Sequence, residues 1–213
     1  MRWASIIELE KDHVFYKRGS EIHNFRLPRW YELPEEEVLR QTMLKYIEEH
    51  LSPLFPGRTI ITGTMVQNYI KWGLAPRPVN RRYGRIHMVH FIVLSVLKEI
   101  ISIQYVHTGI SLLTRLMSTE LAYDSFCDQI EDSMQRVTAF LLEPIPVTKP
   151  LEIRGLKVPL ERLNLAFICE SLAFKLIAEM FIDQQGLMGS LLLHKEPAGP
   201  ESDINNQNEK ESK

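Results

Sequence analysis

Residues 88–97 leave a folding chain few choices. Met88, Val89, Phe91, Ile92, Val93, Leu94, Val96 and Leu97 follow one another with only His90 and Ser95 between them. A helix written this way is apolar on nearly every side, so other elements or a partner chain must enclose it. The apolar stretch from Ile86 to Leu97 is too short to cross a bilayer, and His87 and His90 break it. The expectation is a central helix from Arg85 to about Ile100 with other helices packed round it. No apolar region of signal-peptide length opens the chain. A cytoplasmic protein with no membrane partner is therefore expected. With 213 residues there is room for one core, or a small domain with a helical appendage.

Proline and glycine mark out the other elements. Pro34, followed by Glu35, Glu36 and Glu37, has the composition of a helix start, because carboxylates suit the positive end of the helix dipole. Val38, Met43, Leu44, Ile47 and Leu51 carry that helix on to Pro53. Thr64 opens a short helix, with Gln67 at the spacing of a capping box and Gly73 as its stop. Ser102 begins a helix bearing Ile103, Val106, Ile110 and Leu113. Another runs from about Ser118 to Leu142, and a last one from about Pro159 to Gln185. Before Pro34 the pattern is weak, and a short hairpin of 5–9 with 13–16 is the reading there. From His194 onward the chain has almost nothing to bury and is expected to be disordered.

Charge is distributed unevenly. Between Glu49 and Glu99 there is no Asp or Glu, although random placement of the chain's 27 acids would put about six there. The same interval carries Arg58, Lys71, Arg77, Arg81, Arg82, Arg85 and Lys98, while the whole chain has a net charge of −2. A basic island on an acidic body suits a polyanion. Within it, the helix beginning at Thr64 has Val66, Tyr69 and Ile70 for packing and Gln67, Asn68 and Lys71 for reading. Gln and Asn match an adenine edge, and Lys matches guanine or phosphate. Thr62 and Thr64 stand near a helix N-terminus that suits a phosphate. Pro76 and Pro78 stiffen the following loop, from which Arg77, Arg81, Arg82 and Arg85 project toward a phosphate backbone. The candidate DNA-binding residues are therefore Thr64, Gln67, Asn68, Tyr69, Lys71, Arg77, Arg81, Arg82 and Arg85. Tyr69 either packs the helix or touches backbone.

These residues carry a resemblance. Gln67-x-Tyr69-x-Lys71-x-Gly73-Leu74, then Arg81-Arg82-Tyr83, then Met88 with Phe91, and Ser102-Ile103-Gln104-Tyr105-Val106 resemble MerR-type winged-helix regulators. Gln67 stands where that pattern has Arg, and the usual Asn-Gly turn of the wing is absent. Leu27-Pro28-Arg29-Trp30, Glu32-Leu33-Pro34, Thr64 to Tyr69, Gly73-Leu74-x-Pro76, Tyr83 and Leu97-Lys98 are similar to the bacterial domain of unknown function 1836 family, over roughly residues 27–115. The resemblance implies a mainly α protein, with a MerR-like winged helix-turn-helix followed by a C-terminal helical dimerisation or effector region. The corresponding division is an N-terminal extension (1–33), the winged helix-turn-helix (34–115), a helical region for dimerisation or effector binding (116–188) and a disordered tail (189–213). Glu35–Leu51 takes the place of the first helix of the motif. Double-stranded DNA, a second copy of the chain and an unidentified small-molecule effector are the implied partners. Helices 119–142 and 159–185 would supply the dimer interface, or instead fold back to complete a monomeric core.

Other constellations carry less. Cys127 and Cys169 lack a Cys-x-x-Cys spacing and read as buried free thiols. His87 and His90 have helical ligand spacing but no acid or thiol near them in sequence, so no metal and no cofactor are expected. Asp124, Asp128, Glu131 and Asp132 read as a solvated helix face. Phosphate-binding glycine loops, nucleophile elbows and His-Glu-x-x-His are all missing, so no catalytic residues are assigned and no enzyme is expected. A DNA-binding transcriptional regulator is the leading reading. A winged-helix module that meets an acidic protein, or a helical sensor of small ligands, are the alternatives.

Overall fold

The computed structural model describes residues 6–146 and 162–184. Seven α-helices and two small antiparallel ribbons lie among them, which bears out the mainly helical expectation. The helices are α1 (Val14–His23), α2 (Arg40–Leu51), α3 (Gly63–Lys71), α4 (Arg85–Leu97), α5 (Ile103–Leu116), α6 (Thr119–Thr138) and α7 (Leu163–Asp183). One ribbon pairs β1 (Ile6–Ile7) with β4 (Ile145–Pro146). The other pairs β2 (Val38–Leu39) with β3 (Arg82–Tyr83). No helix of the described residues is long and apolar enough to cross a membrane. The expected disordered tail lies outside the described residues, as do the outer ends of the expected last helix.

The central helix is where the sequence puts it. Ten residues of α4 are buried, and only Arg85, Ile86 and His90 of this helix escape full enclosure. Met43, Ile47 and Leu51 of α2 and Val66 and Tyr69 of α3 meet it in one continuous core. Phe126, Ile130 and Met134 of α6 and Cys169 and Leu172 of α7 belong to the same core. The apolar stripes of α6 and α7 thus meet one another within one chain. Leu121 of α6 and Phe167 and Phe174 of α7 stay exposed outside that contact.

Two stretches differ from expectation. The segment read as a hairpin holds a helix instead: His13 caps α1, its Nδ1 accepting from the Phe15 N–H at 3.3 Å. β1 pairs with β4, far along the chain, and not with residues 13–16. α1 docks through Phe15 onto Leu141 and Met180. Gly19 makes that approach possible, since a Cβ there would stand 2.8 Å from the Leu141 Cδ1. The second difference is at Pro34. The three glutamates after it do not start a helix; Val38 and Leu39 run extended against Tyr83 and Arg82, and α2 begins only at Arg40. Pairing with β3 outweighs the local preference of the glutamates for a helix start.

Candidate nucleic-acid interface

α3 is capped by Thr62 rather than Thr64: the Thr62 hydroxyl accepts from the Met65 N–H at 3.2 Å. The expected Thr64–Gln67 capping box is therefore not used. At the other end Gly73 adopts φ +72°, its N–H reaches the Ile70 carbonyl at 3.1 Å, and the Leu74 N–H reaches that of Tyr69 at 2.8 Å. This closes the helix with a Schellman motif, and the buried Leu74 and Tyr69 side chains complete it.

Val66 and Tyr69 are buried, and Tyr69 stacks toward Phe91 with ring centroids 6.4 Å apart. Burial raises its hydroxyl pKa. Tyr69 is thus a packing residue of α3. Thr64, Gln67, Asn68 and Lys71 stand at i, i+3, i+4 and i+7 and share the opposite face. Thr64, Gln67 and Lys71 are exposed and Asn68 is half-buried. α2 and α3 are joined by residues 52–62, well beyond the roughly 3–4 residues of a compact helix-turn-helix.

The loop after α3 ends in a tight turn at Asn80 and Arg81, the place of the expected wing. Asn80 (φ 49°) and Arg81 (φ 59°) both lie in the left-handed region, and the Arg82 N–H returns to the Val79 carbonyl at 2.8 Å. Two successive positive φ values in a two-residue hairpin loop define a type I′ turn. The turn forms without the usual Asn-Gly pair, because Asn80 tolerates this conformation and Arg81 is held in it. β3 then pairs with β2, and Gly84 leads into α4.

The cations divide into two groups. Arg58 pairs with Glu99 at 2.8 Å, and Lys98 Nζ donates to the Ile60 carbonyl at 2.7 Å. Both tie the 52–62 connection to the body, and burial lowers the pKa of Lys98. Lys71, Arg77, Arg81, Arg82 and Arg85 make no ion pair among the described residues. Arg77, Arg81 and Arg82 are exposed. Two of the five lean on backbone: Arg82 donates to the Glu37 carbonyl at 3.4 Å, and Arg85 to that of Leu33 at 3.1 Å. Arg85 also lies over the Tyr31 ring, 5.9 Å from its centroid. The interval without acids is not wholly free of them in space, because a Cβ on Gly84 would stand 3.5 Å from the Glu37 side chain.

Two residues beside this surface escaped the sequence reading. Trp72 is 58% exposed at the end of α3. The Arg40 guanidinium lies by the N-terminus of α3, 3.6 Å from where a Gly63 Cβ would stand. Arg40 falls outside the acid-free interval, so charge spacing gave no signal for it.

The acidic run on α6 is not merely solvated. Asp124 accepts from the Trp30 N–H at 2.8 Å, Asp128 pairs with Arg29 at 2.9 Å, and Glu131 accepts from both the Leu27 N–H and Arg29. Asp132 pairs with Arg136, which also holds Glu170 of α7. These carboxylates seat the segment 27–32 on α6. His87 and His90 find local partners. The Nδ1 of His87 accepts from the Gly84 N–H at 3.1 Å, and the Nδ1–H of His90 donates to the Ile86 carbonyl at 2.8 Å. Among the described residues no three His, Cys, Asp or Glu are placed to hold a metal. Cys127 and Cys169 are buried free thiols, and burial pushes Cys127 up to about 12.

The segment 27–32, the α2–α3 pair, the wing and the start of α6 form one continuous block of the chain. Residues 28–126 match the family described as Domain of unknown function (DUF1836). The matched stretch takes in α2, α3, the turn at Asn80 and Arg81, all of α4 and α5, and the first part of α6. No curated protein and no solved structure matches the chain.

Proposed function

We propose that this protein is a sequence-specific, double-stranded-DNA-binding transcriptional regulator of the MerR-like winged-helix kind. The observation that carries the reading is the wing tip. Arg81 occupies a left-handed position that glycine fills at lower energy, at a cost on the order of 1 kcal/mol, and its side chain is exposed. A guanidinium kept there against backbone preference argues for a use of its charge outside the fold. Arg77 and Arg82 are exposed near it and make no ion pair among the described residues, and Lys71 ends a polar α3 face that also holds Gln67 and Asn68. In this reading α3 enters a major groove, the wing grips the flanking phosphates and the α3 N-terminus, with Arg40 beside it, takes another. A homodimer would set two wings on successive grooves.

The test is anisotropy with labelled duplexes, first of random sequence at low salt and then of sequences selected from a random pool. Salt-dependent binding of the random duplex, with a tighter selected class, supports the reading. No binding at low salt overturns it and leaves a winged module for an acidic protein partner.

A further inference from the structure

A cavity of about 390 Å³ lies between α4, α5, α6 and the N-terminal part of α7, within the roughly 300–1,000 Å³ range of small-molecule sites. Its walls are almost entirely hydrocarbon, with Val89 and Val93 from α4, Ile110 and Leu113 from α5, and Phe126 from α6. Two of the four hydroxyls in the wall are already committed: Thr114 donates to the Ile110 carbonyl at 2.9 Å and Tyr123 to that of Pro28 at 2.9 Å, while Tyr105 and Thr119 add two further hydroxyls to the lining. His90 commits its Nδ1–H to Ile86. Among the described residues Arg115 is the only Lys, Arg, Asp or Glu of the lining; it is exposed and makes no ion pair among them. The described lining offers an apolar interior and one solvent-exposed cation. We infer that it binds an amphipathic carboxylate, a medium-length hydrocarbon chain bearing one anionic end, with the chain among the valines and leucines and the head at Arg115.

Gly109 gives the inference a sharp handle. It lines the cavity from the middle of α5, and a Cβ there would meet no atom within 4 Å. A larger side chain at 109 enters empty space, and leaving glycine also favours the helix. α4 supplies Val89 and Val93 to the cavity wall and begins at Arg85, with Gly84 between it and β3. Occupancy therefore acts on the helix whose first residue is Arg85, next to the cationic edge. That regulatory consequence rests on the DNA-binding reading; the ligand site does not.

The experiment is titration calorimetry of the full chain, without DNA, against decanoate and decanol, for the parent, Gly109→Leu and Arg115→Gln. Circular dichroism confirms that each variant is folded. Expected are saturable decanoate binding by the parent and loss of both ligands in Gly109→Leu. Arg115→Gln is expected to weaken decanoate about three- to fivefold with decanol unchanged. Absence of saturable decanoate binding by the parent overturns the inference. So does equal binding by folded Gly109→Leu, or an equal loss of both ligands in Arg115→Gln. A parent dimer that ignores decanoate and that Gly109→Leu dissociates also overturns it, and assigns the groove to a second copy.

Discussion

Arg29 and Glu131 meet fork to fork: Nη1 lies 2.6 Å from Oε1 and Nη2 lies 2.7 Å from Oε2. Such bidentate pairs are stronger than single contacts and fix orientation as well. The Glu131 side chain is only 12% exposed, and it also receives the Leu27 N–H at 2.8 Å. The contact seats Leu27 in the core and holds Trp30 where its N–H reaches Asp124. Hydrogen bonding to Glu131 raises the Arg29 pKa, although burial opposes it. Glu131→Gln keeps the shape and removes the charge, so it should cost about 2 kcal/mol of unfolding free energy. Urea denaturation checks this, and an unchanged midpoint would mean that the segment is seated by other contacts.

Arg81→Gly separates fold from function. Removing a left-handed non-glycine residue should leave stability equal or raise it by up to about 1 kcal/mol. Removing one phosphate contact should weaken DNA binding across all sequences and lower the salt slope by about 1. The Arg81→Ala, Arg82→Ala pair should flatten the slope further. A more stable variant that binds DNA as before would deny the wing its role.

Gly19 tests the docking of α1. Gly19→Leu must displace Leu141, whose Cβ would lie 3.0 Å from the new Cβ. Overpacking of this kind costs about 1–3 kcal/mol, more than the roughly 1 kcal/mol gained in helix propensity. Thermal unfolding should show the net loss. Hydrogen exchange in α1 should rise before that in α4.

His90 and Glu99 both contribute to the response to acid. Burial lowers the pKa of His90, so the folded state resists its protonation while the unfolded state does not. Stability from this source is full above about 6.5 and declines as pH falls below it. His90→Gln should flatten that decline in a denaturation series between pH 7 and pH 5. Glu99 follows at lower pH. Burial pushes its carboxyl up, but Arg58 and Lys175 prevail and hold it below its ordinary value. Its contribution is present above about 4.5 and is lost as pH drops through the lowered folded value. Glu99→Gln should remove that second step.

The helices legible in the sequence are those whose own residues carry the signal. α4 announces itself by its unbroken apolar run, α3 by Gly73, and α6 by Ser118, whose hydroxyl does accept from the Leu121 N–H at 3.2 Å. α1 was not legible, because its cap is a histidine and its apolar residues find their partners in Leu141 and Met180, far along the chain. β2 was hidden for the same reason: alone, Pro34 and three glutamates look like a helix start, and only pairing with Arg82 and Tyr83 makes the segment extended. The exposed polar face of α3 follows from its period. The engagement of Arg82 and Arg85 with backbone carbonyls, the place of Arg40 and the partners of the acidic run depend on distant contacts that no local pattern encodes.

The DUF1836 match stops at residue 126, partway along α6, whereas the carboxylate that anchors Arg29 lies beyond it. The matched stretch and the contacts that hold Arg29 therefore have different borders in this chain. A fragment trimmed to the matched stretch would retain the cationic edge and forfeit the counter-charge beneath its first residues. Its failure to fold would say nothing against the surface it displays.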